Sequence, residues 1–197
     1  MGTRKELIEI ARKEIGVKES PADSNCVKYN TWYYGREVSG SAYPWCMVFV
    51  QWCFAQAKVA LPVRTASCGA LRTAAQKAGA WVTGAYQAGD VVIYSFNSDG
   101  TTDHCVIVES VMSGAVAAIE GNTAQGNDAN GGQVQRRIRA DSLILGAFRP
   151  TYDKEGPIMD NTPAAAHKEG VEWCKEQGIL QGDTTGNLRL SDSVTRQ

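Results

Sequence analysis

The sequence has no Cys-x-x-Cys pair, only two histidines, no long apolar run and no surplus of charge of either sign. Each shortage removes a class of function. The six cysteines, at 26, 46, 53, 68, 105 and 174, form no even ladder of short spacings, which excludes a zinc ribbon and the disulfide frameworks of small secreted domains. Most of them read as reduced core residues. Twenty basic residues against twenty-one acidic ones leave a net charge of −1, so no field points to nucleic acid or to an anionic membrane. No stretch reaches the roughly 18 apolar residues of a membrane span. The first twenty residues, "MGTRKELIEIARKEIGVKES", carry charges throughout and lack the apolar centre of a signal peptide. The expectation is no nucleic-acid partner, no membrane insertion and no signal peptide. Work outside a cell would then need another route of export, or a leader outside this stretch of chain.

What is present suits an ordinary globular domain with a small second unit: 197 residues, 43% of them hydrophobic. A domain of about 150 residues buries roughly 68–70% of its unfolded surface, enough for a core without disulfides. Residues 3–16 place Leu7, Ile8, Ala11 and Ile15 at helical spacing, with Thr3 and Glu6 in the pattern of a capping box. Residues 17–40 mix Pro, Asp, Asn, Gly and aromatics and predict a structured loop or short helical turns. From Cys46 to about Ala57 apolar residues cover all sides, which predicts a central, buried helix. "CGALRTAAQKAG" (68–79) predicts an amphipathic helix closed by Gly79. The period then changes. Short β-rich runs at 90–96, 104–111, 115–121, 133–139 and 143–149 are bounded by Gly, Asn and Asp. Helices first and strands after favour an α+β domain with an antiparallel sheet. "PTYDKEGPIMDNTPAAA" (150–166) is the linker candidate, and residues 163–179 predict a last helix ended by Gly178.

The chemistry centres on "YPWCMVFVQWC" (43–53). Cys46 stands where a loop ends and a helix begins, and a thiol there feels the positive end of the helix dipole. Cys53 lies two turns further in, where burial favours the neutral thiol. A nucleophilic thiol needs a base. His104, at the start of a strand behind the polar "NSDGTTD", is better placed than His167, which lies beyond the linker. The base needs an acceptor that fixes its tautomer, and Glu120 on the following strand can supply it. Asn122 could accept from the imidazole, donate to a developing oxyanion, or simply serve the turn after Gly121. Adjacent His104 and Cys105 point to opposite faces of a strand, which disfavours a metal site built from Cys46, Cys53, His104 and Cys105. No metal or other cofactor is expected.

Four motifs in order, "PWCMVFVQWCFAQA", "AGDVVIY", "DHCVIVESV" and "IEGNT", resemble the CHAP family of cysteine, histidine-dependent amidohydrolases and peptidases, within the papain-like NlpC/P60 group. The resemblance runs from about residue 4 to 152. It implies a papain-like α+β fold, N-terminal helices packed on a central antiparallel β-sheet, with Cys46, His104, Glu120 and Asn122 as catalytic residues. It also implies hydrolysis of peptidoglycan, as in phage endolysins or bacterial autolysins, by an amidase or endopeptidase. Two departures stand out: Cys105-Val106 follows the histidine where the family has Val-Gly, and no acidic calcium loop precedes Cys46, which argues against a bound calcium.

The segment "GVEWCKEQGILQGDTTGNLRLSDSVTRQ" (170–197) is similar to the first part of an S-layer homology repeat, implying contact with a cell-wall polymer. The expected organisation is a catalytic domain over 1–152, a linker over 153–163 and an incomplete wall-binding repeat over 164–197. The enzyme would act at the wall, released from a host cytoplasm by a holin or exported otherwise. Trp45, Tyr43, Tyr34 and Trp32 are the expected substrate contacts, because grooves are lined by aromatics, although aromatics ahead of a core also pack. Cys26, Cys53, Cys68, Cys105 and Cys174 are expected only to pack. Two alternatives stay open: a non-catalytic wall-binding module of the same fold, and a thiol transpeptidase or deamidase acting on protein.

Overall fold

The computed structural model describes residues 2–128, 130–153 and 168–180. The chain divides into two compact units, Met1–Asp153 and Lys154–Gln197. In the first, α1 (Arg4–Lys13) opens with the expected capping box: Thr3 Oγ1 accepts from Glu6 N, and the Glu6 carboxylate accepts from Thr3 N. It buries Leu7, Ile8 and Ala11, but stops short of Ile15, which is exposed. A short helix, α2 (Lys28–Tyr34), lies within the expected loop and ends at Gly35 with φ +71°. Next come α3 (Cys46–Gln56) and α4 (Cys68–Lys77), the latter capped by Ser67 Oγ accepting from Ala70 N.

Six strands follow: β1 (Trp81–Val82), β2 (Val91–Tyr94), β3 (His104–Met112), β4 (Ala115–Thr123), β5 (Gln133–Ala140) and β6 (Ile144–Phe148). They form one antiparallel sheet in the order β1-β6-β2-β3-β4-β5. This is the α+β arrangement expected from the sequence. Alternation along the strands sorts two apolar clusters onto its two faces. Ile93, Cys105, Ile107 and Ile119 join the larger cluster with α1, α3 and α4, whereas Val92, Val106, Val108 and Ala118 form the smaller one.

Helix α3 is apolar on every side and buries eight of its eleven residues, as a helix enclosed by neighbours must. It packs on α1, α2, β3 and β4. One glycine permits the closest approach. A Cβ on Gly121 of β4 would lie 2.6 Å from Phe49 Cβ and 2.9 Å from the Trp45 ring. The missing side chain is therefore what lets the first turn of α3 rest on β4.

In the second unit, α5 (Lys168–Glu176) is amphipathic and followed by Gly178 in the left-handed region. The rest of the expected wall-binding repeat, residues 164–167 with His167 and residues 181–197, lies outside the described residues, as does the expected linker after Asp153.

Candidate functional site

Cys46 is the first residue of α3, and Trp45 before it provides no side-chain cap. The free N–H groups of the opening turn and the positive end of the dipole therefore face the start of the helix, where the thiol sits. The junction is pinned from behind. Trp45 is fully buried, stacked on Tyr29 with ring centroids 5.4 Å apart, and donates from Nε1 to Glu19 Oε1 at 2.8 Å. Tyr29 donates in turn to Glu14 Oε2 at 2.6 Å.

His104 opens β3, opposite Tyr94 of β2. The loop before it is closed by Asp103, whose carboxylate accepts from Phe96 N and Thr101 Oγ1. The imidazole is completely buried and stacks on Phe96 with centroids 6.1 Å apart. Its Nε2 lies 3.3 Å from Glu120 Oε2, an ion-pair distance without hydrogen-bond alignment. Nδ1, which makes no aligned hydrogen bond either, is the nitrogen left for Cys46.

Glu120 is also completely buried. Arg139 of β5 grips it bidentately, Nε to Oε1 and Nη2 to Oε2, both at 2.8 Å. The Arg139 guanidinium lies over the Phe96 and Tyr94 rings, at 5.0 and 5.8 Å from their centroids, and Nη1 sits 3.1 Å from Asp128. The ladder between β3 and β4 runs from Ile107↔Ile119 to Met112↔Ala115. His104 and Glu120 lie beyond its inner end, where the two side chains meet on one face.

Electrostatics follow from this enclosure. The Cys46 thiol is drawn well below its ordinary value by its contacts with the Cys105 and Cys68 thiols; burial opposes this, and the neighbouring His104 adds its positive charge. Burial pulls the His104 pKa down, but Cys46 and Glu120 together outweigh it and raise the pKa to about 9. Glu120 is pushed up by burial and pulled down further by His104 and Arg139, so its carboxyl stays below the usual range. The balance favours a thiolate, an imidazolium and a carboxylate in sequence. Cys53 is the opposite case: burial, and then the Glu14 charge, hold its thiol well above the ordinary value.

Cys68 and Cys105 do more than pack. The Cys46 and Cys68 sulfurs are 3.9 Å apart, and the three sulfurs of Cys46, Cys68 and Cys105 all lie within 4.8 Å of one another. Burial and the Cys46 sulfur hold Cys105 well above an ordinary thiol, so it stays protonated. Cys68 is drawn down by Cys105, but the bond to Cys46, burial and the Cys46 charge push it higher still. Of the three sulfurs, Cys46 is the one whose surroundings favour the thiolate. Three soft sulfurs at this spacing could also bridge a thiophilic ion.

Several expected contacts fall elsewhere. Trp45 cannot line a groove, because Tyr29 and Glu19 enclose its ring; it anchors the start of α3 instead. Tyr34 and Tyr43 are half-buried and meet edge to face at 5.1 Å. Trp32 is exposed, but it lines a cleft with Gln51, Phe54, Leu61 and Val63, against the far half of α3 from Cys46. Asn122 is buried with φ +60°, donates from Nδ2 to Asn130 Oδ1, and accepts at Oδ1 from Gly132 N. Those bonds hold the β4–β5 loop rather than an oxyanion or the imidazole. Arg139 and the two flanking thiols were not anticipated. A buried carboxylate demands a cation, but the burial of Glu120 is visible only in the fold, so no signal in the sequence pointed to Arg139. Nothing in local sequence announces the thiols.

The CHAP domain family model matches residues 38–122. No curated protein matches the chain. Among solved structures, the wild-type endolysin LysIME-EF1 superposes with a TM-score of 0.51 at 12% identity, covering 90% of this chain and 87% of that one. The crystal structure of Ly7917 gives 0.43 at 18% identity, covering 75% and 62%. Ly7917 with the hydrolyzing product of MDP gives 0.46 at 15%, covering 75% and 63%. The chain thus spans under two thirds of the Ly7917 chains.

Proposed function

Residues 38–122 form a CHAP domain, and from that premise we propose that the chain is a cysteine hydrolase of bacterial peptidoglycan, cutting an amide bond through a thioester. The observation that carries this reading is the line of buried groups at the start of α3: Cys46, His104 and Glu120, the last held by Arg139.

The Cys46 thiolate attacks the amide carbonyl, and the negative charge that develops on oxygen meets the free backbone N–H at the head of α3. The His104 imidazolium then donates its Nδ1 proton to the leaving amine. Glu120, facing Nε2, keeps the ring oriented and its positive charge compensated throughout. Neutral His104 next takes a proton from water, which attacks the thioester. The carboxylate product leaves, and the thiolate and imidazolium are restored. Asn122 keeps the loop after Glu120 in place. No step requires a cofactor.

The bond that is cut follows from groove shape, and both an N-acetylmuramoyl-L-alanine amidase and a stem-peptide or cross-bridge endopeptidase use this chemistry. Tyr34 and Tyr43, near the start of α3 in sequence, are the proposed substrate contacts. Wall-polymer contact through residues 164–197 and action at the wall after release from a host cytoplasm belong to the same reading.

The test is release of soluble fragments from purified cell walls. Cys46→Ser and His104→Ala should each lose roughly 10³-fold or more of the wild-type rate. Mass spectrometry of the released muropeptides, locating the new termini, assigns the bond. Wild-type rates in both variants would overturn the thiol mechanism, and no release by the unmodified chain would reduce the domain to a wall-binding module.

A further inference from the structure

We infer that Cys68 is the resolving thiol for Cys46, so that oxidation of the nucleophile is captured as a Cys46–Cys68 disulfide. The inference rests on the reading of Cys46 as the reactive thiol. Its evidence lies outside the reaction above, which uses no second sulfur.

Cys46 and Cys68 are the first residues of α3 and α4, and their sulfurs already touch at 3.9 Å. Each keeps 7% of its surface exposed, whereas Cys105 keeps none. Two helix starts set the thiols at the ends of elements rather than within them. A disulfide needs the sulfurs at about 2.05 Å, a closure that side-chain rotation and a small shift of two helix ends can supply. Cys105 is the competing partner. It is fully buried, its backbone is locked in the β2–β3 ladder opposite Ile93, and its sulfur contacts Met47 Sδ at 3.7 Å.

The chemistry needs a peroxide as oxidant. The Cys46 sulfur attacks it, forming an S–O bond as the O–O bond breaks, and the departing oxygen takes up a proton. Cys68 then attacks the sulfenyl sulfur: an S–S bond forms, the S–O bond breaks, and the Cys68 proton leaves with the oxygen as water. Two thiols are oxidised by two electrons, and the peroxide is reduced. The bridge spares Cys46 from irreversible sulfinic acid, and a thiol reductant restores it.

The experiment treats the purified chain with hydrogen peroxide, blocks free thiols with an alkylating agent, and maps the peptides by fragment-ion mass spectrometry. The expected result is a Cys46–Cys68 bridge, reversed by dithiothreitol. With Cys68→Ala, Cys46 should instead proceed to sulfinic acid that dithiothreitol does not recover, while Cys105→Ala should keep the bridge. A Cys46–Cys105 bridge in the wild type, or equal over-oxidation of Cys46 with and without Cys68, would overturn the inference. The wild-type map decides this even if a variant folds poorly. Because the readout is mass, a bridge formed by a chain inert on walls would sink the hydrolase reading alone. Wall hydrolysis without any bridge would sink this inference alone.

Discussion

Glu120 carries a charge that no water reaches, and it is answered by His104 at 3.3 Å and by the bidentate guanidinium of Arg139. Removing one partner of a buried ion pair leaves the other uncompensated, which costs about 3–5 kcal/mol. Arg139→Met should therefore lower stability by that order, read from the urea midpoint. Under the proposed function it should also slow wall hydrolysis roughly 10²-fold, the cost of a small misplacement of a reacting group. Unchanged values for both would mean that His104 alone holds the carboxylate. Cys46, His104 and Glu120 were legible in the sequence because each stands at or near an element boundary, where residue type and turn signals coincide. Arg139 was not, because its partner lies nineteen residues away across a strand pair. Cys68 and Cys105 reach Cys46 from α4 and β3, so only tertiary packing brings the three sulfurs together.

At the scale of elements, the meeting of α3 with β4 sets the distance from thiol to carboxylate. Gly121 follows Glu120, and a methyl group there would press on Phe49 and Trp45, neither of which can turn aside inside the core. Gly121→Ala should cost about 1–3 kcal/mol as overpacking, seen as a lower melting temperature. Activity should fall further than stability explains, since relief requires α3 to lift away from β4. A variant with wild-type melting and turnover would show that the contact is slack. The long periodic elements could be read in advance: α1 with its capping box, the all-apolar α3, the closure of α4 at Gly79 and the strands. Two elements could not be placed. Helix α2 falls where the sequence predicts only a loop or short helical turns, because turn-forming residues mask its few helical positions, and β1 is two residues long, too short for any period.

For the molecule as a whole, proton counting links the site to stability. Folded, Cys46 and His104 together hold one proton, as thiolate and imidazolium. Unfolded, they also hold one between about pH 6.5 and 8.5, as thiol and neutral imidazole. Equal counts give stability no slope with pH in that window. Below it the unfolded imidazole binds a second proton and stability declines. Glu120 deepens the decline, since its folded pKa lies below the ordinary value and its contribution is lost as pH falls through it. Above about pH 8.5 the unfolded thiols ionise while the folded Cys46–His104 pair keeps its proton until the His104 pKa of about 9 is passed and buried Cys53, Cys68 and Cys105 keep theirs further, so stability declines there too. Melting temperature against pH should show this plateau and both shoulders. The pairing of Cys46 with His104 is tested most directly by the rate of Cys46 alkylation as a function of pH, resolved by peptide mass spectrometry. The rate should already be at its plateau well below the ordinary thiol pKa of about 8.5, and His104→Ala should carry the midpoint upward. A wild-type midpoint at or above that ordinary value, unmoved by His104→Ala, would contradict the account.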